Sequence, residues 1–492
     1  MKQGFDPELY MRLQKQRILE RIESSCGKLY LEFGGKLFDD YHAARVLPGF
    51  DVNAKVKLLA EMKDQTEIIF AISAAAIEQN KIRADLGITY DMDVLRLVKS
   101  LSDMGLSVNS VVITQYTGQP SALRFKNKLE ARGIRAYFHG LTRGYPTDVE
   151  TILSDEGFGA NPYIETTRPL VVVTAPGPGA GKLATCLSQI YHEQKRGGQA
   201  GYAKFETFPI WNLPLKHPVN LAYEAATADL KDVNSIDPYH LEQYGKIAVN
   251  YNRDIEAFPI VKTVLNRVLG QDVYFSPTDM GVNMAGFAIV DDEAVREAAG
   301  QEVVRRYFRA CCDARLGLVG RDIPERIEMI MQQLNLKAED RAVVAPARAK
   351  AAQRQVPAIA FQLEDGTVTT GRESPLMTAA ASGVINAIKY LAGVNSDKIL
   401  LLAQNILEPI IALKSNHLHI SDSSLSLSDV LIALSISSTP NPTAAVALEQ
   451  LPRLRGCEAH CTVILSASDE EMLRRLGVHA TCDPVYEARR AD

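Results

Sequence analysis

The chain has 492 residues, 46% hydrophobic and 23% charged, with a formal net charge of -5 at pH 7. This composition excludes whole-chain disorder, collagen and coiled-coil rods, and the lack of a basic excess argues against duplex nucleic acid or an anionic membrane as partner. At roughly 150 residues per domain, the length argues for about three domains with cores that need no disulfide or metal staples.

The chain opens Met1-Lys2-Gln3-Gly4-Phe5-Asp6, without the apolar stretch of a secretory leader. The most apolar runs, residues 170–175 and 399–403, have strand or short-helix length. Seven cysteines, an odd number in so long a chain, make no disulfide framework. A reduced, cytoplasmic protein is expected.

Residues 8–25 carry Leu9, Met11, Leu13, Ile18, Leu19 and Ile22 at helical spacing. Residues 28–33 read as a strand ending in Gly34-Gly35-Lys36. Helices are expected over 53–62, 91–104 (with Asp91 as cap) and 120–132, and strands over 67–72, 108–114 and 134–139. Strands at 170–175 and 200–205 flank a helix over 181–193. Near-continuous apolar strands alternating with helices predict a doubly wound, mostly parallel α/β sheet, buried on both faces. After Pro218 helical patterns dominate, over 220–230, 254–269, 291–313 and 324–334. The polar, basic, alanine-rich residues 337–355 read as a linker.

From Val356 the α/β alternation returns. A hairpin is expected around Asp365-Gly366, helices over 375–391 and 442–451, a strand over 461–465, and a last helix opened by Ser468-Asp469-Glu470-Glu471. The expected domains are a P-loop-like α/β domain over 1–225, a helical cap or insertion over 226–338, and a C-terminal α/β domain over 339–492.

The most informative segment is Val171-Val172-Val173-Thr174-Ala175-Pro176-Gly177-Pro178-Gly179-Ala180-Gly181-Lys182. A buried strand runs through a glycine-rich turn into a helix, the setting of a P-loop. Glycines let backbone N–H groups converge on phosphate oxygens, the helix start adds positive potential, and Lys182 reaches a terminal phosphate. Gly177, Gly179, Ala180, Gly181, Lys182 and Thr185 are therefore the candidate nucleotide-binding residues. The fit to G-x-x-x-x-G-K-[ST] is incomplete: Pro176 stands at the first glycine, and Leu183 stands where Ser or Thr would hold magnesium. The bland alternative is a tight turn whose glycines only allow close packing.

Other loops carry polar groups. Gly34 and Gly35 are candidates to bind substrate, and Lys36, Asp39 and Asp40 to face the reacting end, because loops at strand carboxyl ends line the ligand crevice of an open sheet. Asp279 and Asn283, in the turn-rich string 276–283, are candidates to position an acceptor or metal. Lys204 and Trp211 belong to a stiff aromatic loop that suits a substrate wall or a subunit contact. The string Phe287-Ala288-Ile289-Val290-Asp291-Asp292-Glu293 resembles a Walker-B strand, but a helix cap at Asp291 or Asp292 is the favoured reading. Cys457, His460, Cys461, His479 and Cys482 are close in sequence, and zinc is weighed there against an ordinary buried core.

The strings 33–40 (FGGKLFDD), 45–51 (RVLPGFD), 80–91, 175–189 (APGPGAGKLATCLSQ), 205–230 and 276–287 (SPTDMGVNMAGF) resemble a bacterial family catalogued as a conserved domain of unknown function. The resemblance covers nearly the whole chain. Some members carry the label ATP-dependent peptidase, yet no G-x-S-x-G, H-E-x-x-H or recognisable triad is found here. The resemblance also implies a C-terminal domain of cytidine-deaminase-like topology, without the H-x-E and P-C-x-x-C strings of zinc deaminases.

The expected function is binding of a nucleotide or phosphorylated metabolite, with ATP or another nucleotide and Mg2+ as candidate cofactors and small-molecule phosphotransfer as the candidate reaction. A phospho-ligand sensor or homo-oligomeric scaffold is the rival from another class, and a hydrolase without nucleotide is the second enzyme reading.

Overall fold

Seven parallel strands form the central sheet of a computed structural model that describes residues 3–83, 86–394, 400–420 and 424–486. Met1 and Lys2, positions 84 and 85 of the string 80–91, and residue 399 of the apolar run 399–403 lie outside the described residues. The strands are β1 (Leu29–Phe33), β2 (Thr66–Ser73), β3 (Ser107–Thr114), β4 (Arg135–Phe138), β5 (Leu170–Thr174), β6 (Gly201–Phe205) and β7 (Gly281–Val282). Their order is β7-β6-β1-β5-β2-β3-β4, and every neighbouring pair is parallel.

The period of two along each strand sends alternate side chains to opposite faces. Leu31, Phe33, Ile68, Phe70, Leu170 and Val172 pack on one face, under helices α1 (Pro7–Ser24), α3 (Ala54–Glu61), α5 (Tyr90–Asp103) and α6 (Pro120–Glu130). Tyr30, Ile69, Ala71, Val171 and Val173 pack on the other, under α7 (Lys182–Lys195) and α9 (Asn252–Leu269). Burial on both faces explains the unbroken apolar runs, and each buried Val, Ile or Leu contributes about 1.5–3 kcal/mol. The fold class is α/β with a second sheet in the C-terminal part, as the sequence pattern predicts.

Local chemistry sets the helix starts. Asp6 accepts from the Leu9 N–H at 2.9 Å, with Pro7 at the first position of α1. Asp40 caps the short helix α2 (Tyr41–Val46) through the Ala43 N–H. Helix α5 starts one residue before Asp91, which lies in its first turn. The Walker-B-like string is no strand: residues Ala285–Ala288 form a 3-10 turn, Phe287 and Val290 are exposed, and Asp291 accepts from the Ala294 N–H at 3.0 Å as helix α10 (Asp292–Arg315) begins.

The chain divides into two compact units, Met1–Ala299 and Gly300–Asp492. The second unit holds a sheet of order β9-β8-β10-β11, with β8 (Ala358–Gln362), β9 (Val368–Arg372), β10 (Glu458–Cys461) and β11 (His479–Cys482). The β8–β9 hairpin is antiparallel, as Asp365-Gly366 predicts, and β10–β11 is parallel. The strand expected over 461–465 lies earlier, β10 spanning 458–461, with Val463 and Leu465 packed on the core beyond its end, and β11 was not expected. The final helix (Ala467–Arg475) is capped by Ser466 instead of Ser468.

The linker expectation for 337–355 is corrected. Val344–Ala352 forms helix α11, and Val343, Val344 and Ala347 are buried, with Val343 and Ala347 packed on Ala360 of β8. Small apolar groups on one face suffice to bury it, although the other faces are basic and polar. Among the described residues no helix is long and apolar enough to cross a membrane.

Candidate functional site

Strands β1 and β5 are neighbours, yet the chain leaves them in opposite directions. From β1 it passes to α3 on one face of the sheet, and from β5 it passes to α7 on the other. Two loops that diverge from adjacent parallel strands open a crevice at the carboxyl edge, the usual ligand position in an open α/β sheet. Gly34-Gly35-Lys36 and Pro176–Gly181 are those loops, so both glycine loops leave the carboxyl edge from adjacent strands.

The second loop is held by specific contacts. Thr114 Oγ1, at the end of β3, donates to the Ala180 carbonyl at 2.8 Å. A Cβ on Gly177 would lie 2.5 Å from the Tyr90 hydroxyl, and one on Gly181 would lie 3.0 Å from Thr114. Gly179 and Gly181 have φ of 72° and 77°, the left-handed region that glycine enters without strain. Gly181 starts α7 with no side-chain cap. Among the described residues, the N–H groups of Gly179, Gly181, Lys182 and Leu183 donate to no protein acceptor. Lys182 is half-buried and makes no ion pair among the described residues. Thr185 is buried and its hydroxyl donates to Gly181 O at 2.9 Å, while Leu183 packs toward the α7 side of the core.

A cluster of charges borders the same edge. Lys204, on β6, lies 3.0 Å from Glu206 Oε1 and 2.5 Å from Asp254 Oδ2 at the start of α9. Tyr202 Oη donates to Glu32 Oε2 at 2.8 Å, and Arg253 lies 3.3 Å from Asp232. Burial opposes the charge on Lys204, but Glu206, Asp254 and Glu32 outweigh it and hold the ammonium well above the ordinary lysine range. Burial, opposed by Lys204 and reinforced by Asp254, pushes the Glu206 carboxyl up to about 7. Burial, with Glu32 adding through space and Lys182 opposing, raises the Cys186 thiol of α7.

The first loop supports that cluster. A Cβ on Gly34 would lie 2.6 Å from Glu206 Cγ and 2.9 Å from its Oε1, so Gly34 leaves the room that Glu206 fills. The Gly34 carbonyl accepts from buried Lys55 at 3.1 Å, and Lys55 pairs with Asp40 at 3.1 Å. Burial opposes ionisation of Asp40, but Lys55 and His42 outweigh it and hold the carboxyl below its usual range. Gly35 (φ 68°) and Lys36 are exposed on the loop, and Asp39 (φ 56°) donates its N–H to Asn53 Oδ1 at 3.2 Å.

The remaining candidates serve the framework. Asp279 closes a capping box with Ser276 and accepts from the Phe275 and Ser276 N–H groups and from Tyr244 Oη, each at 3.0 Å. Asn283 Nδ2 donates to the carbonyls of Thr207 and Pro209, both at 3.0 Å, and Trp211 Nε1 donates to Asn283 O at 2.9 Å. Asn283 and Trp211 tie the loop after β6, and Asp279 the turn before β7. In the second unit, His460 meets Thr481 at 2.9 Å, His479 meets Glu458 at 3.2 Å, and Cys461 and Cys482 face each other across β10 and β11. Among the described residues no group of three or more His, Cys, Asp or Glu is arranged to hold a metal.

Sequence reasoning missed Glu206, Asp254, Glu32 and Lys55. The available signal was a charged residue inside an apolar strand: Glu32 interrupts β1 and Lys204 interrupts β6. Nothing in the sequence links Asp254 to either.

Residues 3–335 match the family model described as "Domain of unknown function DUF1846, N-terminal", and residues 339–491 match "Domain of unknown function DUF1846, C-terminal". A "UPF0371 protein" of Clostridium botulinum, strain Alaska E43, is 58% identical over 495 aligned positions, covering 99% of this chain and 98% of that relative. Relatives from the Eklund 17B and Langeland strains are each 57% identical with the same coverage.

Proposed function

The chain belongs to the DUF1846 family, and from that premise we propose that it binds a nucleotide or phosphorylated metabolite in the β1/β5 crevice and acts as a small-molecule phosphotransferase. The phosphate rests against the N–H groups of Gly179, Gly181 and Lys182, and the Lys182 ammonium reaches a terminal phosphate oxygen. The observation that carries this reading is the set of undonated N–H groups at the uncapped start of α7, on the edge of a topological switch point. The adjoining charges favour chemistry over sensing, since a carboxyl raised to about 7 is tuned for proton transfer near neutrality.

The test is calorimetry with ATP, with and without magnesium. Wild-type protein is expected to bind, and Lys182→Ala to weaken binding by about 2–4 kcal/mol with the fold intact, the loss of a charged hydrogen-bond partner. ATP affinity unchanged in Lys182→Ala would remove the reading and leave the glycines as packing residues.

A further inference from the structure

We propose that Glu206 is the general base of this site, taking the proton from an alcohol group of the acceptor substrate, with Lys204 and Asp254 as positioning residues. The proposal rests on the phosphotransferase reading and deepens it by naming the base and the acceptor class.

The geometry of Glu206 divides its two oxygens. Oε1 is held 3.0 Å from Lys204 Nζ, and Lys204 is itself anchored 2.5 Å from Asp254. Among the described residues Oε2 takes no hydrogen bond from the protein, and the side chain is 21% exposed. One oxygen is thus fixed by Lys204, while the carboxyl as a whole keeps part of its surface accessible. Gly34 lets the carboxylate lie against the end of β1, next to the loop that borders the crevice. The groups facing Glu206 are Lys204 on β6, Asp254 and Arg253 on α9, Tyr223 on helix Pro218–Ala226, and Tyr251. Lys204 and Arg253 favour its ionised form, and burial and Asp254 oppose it, which sets its proton affinity near neutrality.

An alcohol is the acceptor that needs such a base. Its oxygen carries a proton that must leave as the new bond forms. A carboxylate or phosphate acceptor is already ionised and would meet Glu206 and Asp254 in repulsion. In the step, the acceptor O–H bond breaks and its proton passes to Glu206 Oε2. The alcohol oxygen forms a bond to the terminal phosphorus of a nucleoside triphosphate, and the bond from that phosphorus to the bridging oxygen breaks. The electron pair leaves with the nucleoside diphosphate, next to Lys182 and the α7 N–H groups. Glu206 then returns the proton to solvent.

The test uses the full chain, ATP and a panel of sugars, nucleosides and other hydroxyl compounds, with phosphorylated products read by mass spectrometry. Wild-type protein is expected to phosphorylate at least one of them. Glu206→Gln is expected to lower kcat about 10²–10⁴-fold, the usual contribution of a positioned base, with ATP affinity by calorimetry unchanged. Glu206→Asp should keep an intermediate rate. The wild-type kcat/KM should rise with pH through a group titrating at about 7, and that limb should vanish in Glu206→Gln. Glu206→Gln turning over at the wild-type rate would overturn the proposal. So would ATP binding without phosphorylation of any hydroxyl compound, and both results leave the phosphate-binding reading standing. Wild-type protein that binds no ATP would overturn that reading and this proposal with it.

Discussion

At the residue scale, two glycines at the carboxyl edge of the sheet have different reasons to be glycine. Gly34 needs space: any Cβ there runs into Glu206. Gly34→Ala should push the carboxylate out of line, lowering turnover while leaving ATP affinity intact. Paired kinetics and calorimetry would check this, and loss of both together would mean that the loop itself had collapsed. Gly181 needs a conformation: its φ of 77° and the nearness of Thr114 make Gly181→Ala doubly unfavourable. A cost of about 1–3 kcal/mol is expected from the strained φ, read from the urea midpoint. The glycine-rich turn was legible in the sequence because strand, glycines and helix are contiguous there. Glu206 was not. Its role depends on Gly34 and Asp254, which lie 172 and 48 positions away and meet it only at the sheet edge.

At the scale of elements, α11 shows why composition misleads over a short polar stretch. Residues 337–355 look like a linker, but Arg341 within them is only 1% exposed. Its Nη1 lies 2.8 Å from Glu458 Oε2, and its Nη2 donates to the carbonyls of Ala459 and His479, at 3.2 and 3.3 Å. One guanidinium therefore joins the segment before α11 to both β10 and β11. Burial opposes ionisation of Glu458, but His479, Arg305 and Arg341 outweigh it and bring its carboxyl down to about 2. Arg341→Ala would leave that carboxylate buried and short of a partner, at a cost of about 3–5 kcal/mol. Chemical denaturation would measure it, and a change within error of zero would show that the segment is not held by this pair. The basic charge read as part of a linker is, at this position, an interior tie.

At the scale of the whole molecule, Glu206 gives stability a definite pH dependence. Its carboxyl is raised from 4.5 to about 7 by burial, with Asp254 adding and Lys204 opposing. Between those values the native state holds a proton that the unfolded chain has lost. Stability from this group is therefore full below about 4.5 and declines as pH rises until the native group ionises near 7. Denaturation of wild-type and Glu206→Gln protein at about pH 5 and pH 8 should show the wild type losing stability relative to the variant as pH rises. Parallel profiles would mean that Glu206 titrates normally. Carboxyls held low, such as Glu458, act at the other end, with stability lost as pH falls from about 4.5 toward about 2.

By itself the sequence determined the α/β class, most strand positions in the first unit, the glycine-rich helix start and the family. Each of these is written in contiguous residues, as period, turn chemistry or family-specific strings. Only the tertiary structure decided the strand order that puts β1 beside β5, and with it the neighbouring glycine loops. It also decided that Asp279, Asn283 and Trp211 spend their hydrogen bonds on the framework, and that Lys204, Glu206 and Asp254 meet. Strand order and charge pairing depend on contacts between segments far apart in the chain, and burial then sets the proton affinity of the groups so gathered. Local pattern carries none of that information.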